Sequence, residues 1–261
     1  MATYQINSLK QTIESFNKLV IDNDYVFRGV NERKQLLPKI LRKGDYSNNE
    51  FEILEDFEQF YGAYSSTTIS NCWEFLALAQ HYGLMTRLID FSLNPFVALF
   101  FALHTKKVAN EKYRVYALRK SMLKDLLKSG LTRYPVDNTP NLPFDTSGCL
   151  TLLEQDQKSP FTNDIKDFLK QLANKPGLFY LSPNYKNNRV LMQQGLFLMP
   201  KDLEEEDIYS MYDSEMDVYE IDESIREETL KYLDSVGYNE FKLMPDLSSL
   251  CYEINHKIME K

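Results

Sequence analysis

Apolar positions along this chain recur with two periods, and the switches between them mark its elements. From residue 5 to 22, Ile6, Leu9, Ile13, Phe16, Leu19 and Val20 fall on one side of a helical wheel, which predicts an amphipathic helix. Tyr25-Val26-Phe27 predicts a short strand with Arg28-Gly29 at its end. The helical period returns over residues 49–64 through Phe51, Leu54, Phe57, Phe60 and Tyr61. A third helix is expected over 72–81, capped by Asn71 or Ser70, with Gly83 where a helix C-terminus often needs positive φ. Asn94-Pro95 reads as a cap followed by proline at the first helical position. The FVALFFAL run behind it is apolar all round, so that helix is expected to be buried on most sides.

The second half of the chain is less regular. Tyr113 to Leu118 alternates as a strand does, and residues 133–148 hold the Pro, Asn, Asp and Gly of a loop. Strands are expected at Gly177–Leu181 and again at Arg189–Met199, the latter broken near Gly195. On such a strand Arg189, Leu191 and Gln193 share one face. Residues 202–223 carry a dense acidic run, expected to be a solvated face. Helices are expected over 223–236 and 247–259. There is no internal repeat and no clean domain boundary.

Composition narrows the class. Of 261 residues, 43% are hydrophobic and 26% charged, enough for a large core without staples. Cys72, Cys149 and Cys251 are odd in number and have no CxxC spacing, so neither a disulfide framework nor a metal site is expected. His81, His104 and His256 have no ligand spacing either. No signal peptide and no membrane span is read, and the cysteine pattern fits a reducing compartment, so a cytoplasmic protein is expected. The net charge of -8 gives nucleic acid no help from the global field, though a local basic cleft can still bind it.

Three polar segments stand apart from this patterning. Phe27-Arg28-Gly29 sets a five-donor fork beside a residue that lets a ligand or another backbone approach closely. Such an arginine either grips phosphate or pairs with a core carboxylate. Gln80 to Asp90 packs Gln80, His81, Tyr82, Thr86, Arg87 and Asp90 between apolar flanks. Either they form one satisfied network, with Asp90 accepting from Arg87 or His81, or His81, Tyr82 and Thr86 face a pocket. Gln193 points into a cleft or lies on an edge strand in water.

These segments carry a family resemblance. The sequence QHYGLMTRLIDFSLNPFVALFFAL from Gln80 to Leu103 is nearly the whole central motif of FRG domains, which take their name from the signature met here as Phe27-Arg28-Gly29. The later spacing Arg189, Gln193, Gly195, Phe197 and the Pro245-Asp246-Leu247 signature also fit. The resemblance covers about residues 25–255, with residues 1–24 as a helix of the same domain and 256–261 as a tail. Met85 stands where family members often have proline before the threonine.

FRG domains distantly resemble ADP-ribosyltransferases, some of them toxins of toxin–antitoxin and phage-defence systems. The resemblance implies an α+β fold with a split antiparallel β core, packed helices and a clamp for NAD. It implies that Arg28, Gly29, Gln80, Tyr82, Thr86, Arg87 and Arg189 bind this co-substrate and that Gln193, His81 and Asp90 are catalytic. His81 and Thr86 compete for the second ribosyltransferase position. Gln193 stands where a transferase often has glutamate. A glutamine cannot ionise, so Asp90 or His81 would serve as base, or the acceptor would be a nucleobase nitrogen. The expected function is transfer of ADP-ribose to RNA or single-stranded DNA, without a metal, held in check by an antitoxin protein. The alternatives are an NAD glycohydrolase and a non-catalytic module that binds nucleotide or a partner.

Overall fold

The computed structural model describes residues 2–66, 69, 72–120, 162, 165–166, 178–181, 188–200, 202–245 and 251. The first element is a strand, β1 (Thr3–Ile6), which takes Gln5 and Ile6 from the expected helix. Ser8 then caps the helix α1 (Leu9–Asp22) by accepting from the Gln11 N–H at 3.3 Å. This moves the helix start from residue 5 and leaves Ile6 buried on the sheet. Asn23, at φ 46°, ends the helix in the left-handed conformation that asparagine tolerates.

The strand β2 (Tyr25–Val30) runs through Arg28-Gly29 rather than stopping before it. Two 3₁₀ turns, Arg33–Leu36 and Lys39–Leu41, lead to α2 (Glu50–Tyr64). The helix α3 (Cys72–His81) falls as expected, and Gly83 takes φ +94° just beyond it. Its candidate caps, Ser70 and Asn71, lie outside the described residues. After β3 (Ile89–Ser92), Asn94 accepts from the Phe96 N–H at 2.9 Å and Pro95 opens α4 (Pro95–His104). This helix buries Phe96, Val97, Leu99, Phe100 and Leu103. Each is worth roughly 1.5–3 kcal/mol on transfer from water.

The strands β4 (Tyr113–Arg119) and β5 (Leu178–Leu181) lie where strands were expected. The expected strand over 189–199 does not form as one piece. Its first part is a short helix, α5 (Asn188–Met192), and only β6 (Gly195–Pro200) is extended. Gln194, at φ 46°, makes the joint, so Arg189, Leu191 and Gln193 do not share a strand face. Within the acidic run, Glu204 to Asp207 are exposed at the start of α6 (Glu205–Glu215). The following β7 (Met216–Ile221) is a core strand that the run of acids concealed. The last described helices are α7 (Arg226–Ser235), as expected, and α8 (Glu240–Leu243). The expected loop over 133–148 and almost all of the expected helix over 247–259 lie outside the described residues.

The seven described strands join one sheet of an α+β fold in the order β1-β7-β4-β2-β3-β6-β5. Among them only β1 and β7 run parallel. The expected split pair of sheets is thus one mostly antiparallel open sheet, but with a weak joint. β2 pairs β4 from Tyr25 to Val30, and β3 pairs β6 from Ile89 to Ser92. Between β2 and β3 the register holds only Phe27 to Ser92. One face of the first half packs on α1, α4 and α7, and the other on the two turns and α6. No helix among the described residues is long and apolar enough to cross a membrane.

Candidate functional site

Where β2 and β3 part, a cleft of about 500 Å³ opens. Its walls come from β2, the two 3₁₀ turns, the end of α3, β3, one side of α4, α5 and the start of β6. That volume lies in the range that takes a drug-sized ligand. Among the described residues, the charged side chains lining it are Arg28, Lys39, Arg42 and Arg189, with Asp90 as the one carboxylate. His81 and His104 add two imidazoles, and Phe101 an apolar ring surface. A chain of net charge -8 has therefore gathered an excess of cations at one concave place.

Arg28 is 7% exposed and is largely committed to the fold. Its Nε donates to the Gln35 carbonyl at 3.1 Å, Nη2 donates to the same carbonyl, and Nη1 donates to the carbonyl of Asp90. The fork thus ties β2 to the first turn and, at the weak joint, to β3. Its partners are backbone carbonyls, not the core carboxylate that a structural arginine was expected to find. Gly29 lines the cleft, but the close approach it permits is that of a backbone. A Cβ there would lie 1.7 Å from the carbonyl oxygen of Ala98 in α4. The glycine of the signature is required by helix packing.

The Gln80–Asp90 segment divides into a scaffold and a site. Thr86 is fully buried, donates to Gln80 Oε1 and accepts from the Leu88 N–H at 3.2 Å. Gln80 Nε2 donates to Asp90 Oδ2 at 3.0 Å, so glutamine, rather than Arg87 or His81, holds the carboxylate. Asp90 is the exposed position of β3, turned out into the cleft by strand alternation. Arg87 does not line the cleft. Its Nε donates to Glu50 Oε1 at 2.7 Å and Oε2 at 2.9 Å, and its Nη1 reaches the Pro200 carbonyl at 3.4 Å. This buried pair fastens the start of α2 and holds Arg87 away from the cleft lining. Tyr82 is 68% exposed, lies edge-on to His81 with ring centres 4.9 Å apart, and also falls outside the lining.

Gln193 lines the cleft from the α5–β6 joint. Its Nε2 donates to the Leu243 carbonyl of α8 at 2.7 Å, and its own carbonyl accepts from Ser92 Oγ at 2.7 Å. The amide is oriented by the fold, and its oxygen has no hydrogen bond among the described residues.

The electrostatics agree with an excess of positive charge. Burial lowers Arg42 to a pKa of about 10, helped by the neighbouring Arg28. Burial and then Arg42 lower Lys39, with Asp90 opposing. Burial and then Arg189 lower His81, so this imidazole is neutral at pH 7 and able to accept a proton.

Of the residues singled out from sequence, Arg28, Gly29, Gln80, His81, Asp90, Arg189 and Gln193 meet at the cleft, while Tyr82, Thr86 and Arg87 do not line it. Lys39, Arg42, His104 and Phe101 were not among the expected site residues. A signal for the first two was present. Leu36, Leu37, Ile40 and Leu41 are all buried, and Lys39 and Arg42, on either side of the second apolar pair, are the polar positions that line the cleft.

Residues 23–111 match the family model of the FRG domain. The matched span contributes the β2, turn, α3, β3 and α4 walls of the cleft, whereas Arg189 and Gln193 lie beyond it. No curated protein and no solved structure matches the chain.

Proposed function

We propose, from the premise that residues 23–111 of this chain are an FRG domain, that the protein is an NAD-dependent ADP-ribosyltransferase acting on nucleic-acid bases, as a toxin of phage defence does. The observation that carries this reading is the basic cleft at the weak joint of the sheet, which contains a carboxylate and a neutral imidazole. A split between two antiparallel half-sheets is where a ribosyltransferase clamps its dinucleotide. The cations suit the two phosphates, and Phe101 and His104 offer surfaces for a flat ring.

The chemistry asked of these residues is modest. The bond between ribose C1′ and the nicotinamide nitrogen breaks, and its electron pair leaves with nicotinamide. The acceptor nitrogen gives its lone pair to C1′, and its proton must go to a base. Gln193 cannot take it, but its held amide oxygen can face the developing positive charge on the sugar. The Asp90 carboxylate or neutral His81 takes the proton, a role worth about 10²- to 10⁴-fold. A toxin of this kind implies an antitoxin, for which the exposed acids Glu204 to Asp207 offer a charged face.

The experiment is incubation of the full chain with NAD labelled on the adenylate phosphate, together with total RNA, denatured DNA and cell lysate. Nicotinamide release and label transfer are read together, with Asp90→Asn as the comparison. Label on nucleic acid that falls at least tenfold in the variant is the expected outcome. Release of free ADP-ribose alone makes the protein a glycohydrolase. No nicotinamide release with any acceptor defeats the transferase reading and favours a binding module.

A further inference from the structure

Four cations line the cleft, but they are not equally available to a ligand. Arg28 spends its Nε and one N–H of each terminal nitrogen on the carbonyls of Gln35 and Asp90. Lys39 donates to the carbonyl of Gly83 and keeps two further N–H groups. Arg42 differs from both. Its Nε donates to the Leu37 carbonyl at 2.9 Å, which fixes the side chain, while its terminal nitrogens have no hydrogen bond to any described residue. It follows the turn Lys39–Leu41, whose buried Ile40 and Leu41 anchor the segment. A fork held at its root, open at its tip and directed into a cleft is built to receive a planar or tetrahedral oxyanion bidentately.

We propose that Arg42, seconded by Lys39, is the residue that grips phosphate in this cleft, and that its ligand is the diphosphate of a small nucleotide. Arg28, the arginine of the family signature, shapes the joint instead. The assignment rests on the reading of the cleft as a dinucleotide site, and it adds which residue holds the diphosphate. A diphosphate fits better than a single charge because, among the described residues, three other cations and one carboxylate, Asp90, line the cleft with Arg42. Burial and then the neighbouring cations lower Arg42 and Lys39, and two negative charges brought there relieve the second of these causes.

The test is calorimetric titration of the full chain with inorganic pyrophosphate and, separately, with ADP-ribose. A single-stranded oligonucleotide without terminal phosphates serves as competitor. Arg42→Gln should weaken both ligands by about 10- to 100-fold, the loss of a charged bidentate contact. It should leave the melting temperature near that of the parent. Lys39→Gln should weaken them severalfold. If Arg42→Gln does not fold, Arg42→Lys keeps the charge but not the fork and should still lose about tenfold. Unchanged pyrophosphate affinity in the folded Arg42 variant overturns the assignment. So does failure of the parent to bind either ligand. Displacement of pyrophosphate by the oligonucleotide, dependent on Arg42, makes the cleft a polynucleotide track and also overturns it. Binding with the expected losses but no nicotinamide release overturns the transferase reading and leaves Arg42 in place.

Discussion

Arg87 and Asp90 stand three residues apart in one motif and end in opposite environments. Around Arg87 the protein is closed: Glu50 is fully buried, Arg87 nearly so, and their charges meet through a bidentate contact. Around Asp90 it is open, with a single acid among several cations and a cleft in front of it. The buried charges of the first region are matched within the protein, while in the second Arg28, Lys39 and Arg42 share the cleft with the carboxylate of Asp90. Polar density in a sequence does not by itself mark a site. What separates scaffold from site is whether the protein already supplies the partner.

The largest expected effect tests the closed region. Arg87→Ala should destabilise the fold by about 3–5 kcal/mol, because it leaves the Glu50 carboxylate buried without its counter-ion. Urea unfolding measures it. The double variant Arg87→Met with Glu50→Leu should recover most of that loss, since two apolar side chains leave no charge behind. A double variant as unstable as the single would show that the pair does more than neutralise itself. Next comes Arg28→Ala, which frees the carbonyls of Gln35 and Asp90 at the weak joint. A loss on the order of 2–3 kcal/mol is expected, in contrast to the near-silent effect of Arg42→Gln on stability. If the two exchange these behaviours, the division between clamp and grip is wrong. Gly29→Ala should then lose about 1–3 kcal/mol as α4 is pushed off β2, seen as a lower urea midpoint with the slope unchanged.

Local elements of this fold were largely legible in the sequence. The α2, α3 and α4 helices, with Asn94-Pro95 and Gly83 as punctuation, follow from period and cap chemistry. The failures have physical causes. Ile6 continues the helical stripe of α1, but Ser8 caps that helix later and a parallel partner in β7 claims residues 3–6. The strand β7 hides in an acidic run because Asp217 is only half-buried and Glu220 is neutralised. Glu220 loses solvation on burial, yet hydrogen bonds from Lys112, Gln5 and Arg114 hold its pKa down at about 2. Arg189 to Gln193 carries a strand-like alternation, but a left-handed Gln194 lets a helical turn precede β6. Candidate residues of the site were legible as a group, whereas their division was not. Whether a fork binds a ligand or a carbonyl depends on contacts such as Arg28 to Asp90, which are sixty-two positions apart.

The smallest expected effect concerns His81, whose ring takes part in both the fold and the open cleft. Burial and the nearby Arg189 lower its pKa in the folded protein below the ordinary 6.5. The unfolded chain therefore binds a proton at higher pH than the folded one. The contribution of His81 to stability is complete above the unfolded value and is lost as pH falls through the folded one. An anion in the cleft offsets the repulsion from Arg189 and raises the folded pKa, so pyrophosphate should bind more tightly at pH 5.5 than at pH 7.5. The melting temperature of the free protein should fall between these two pH values, and saturating pyrophosphate should reduce the fall. His81→Gln should lessen both trends while leaving Arg42-dependent binding at pH 7.5 in place. A fall in melting temperature that pyrophosphate does not reduce would remove His81 from the open region and place it with Arg87 in the scaffold.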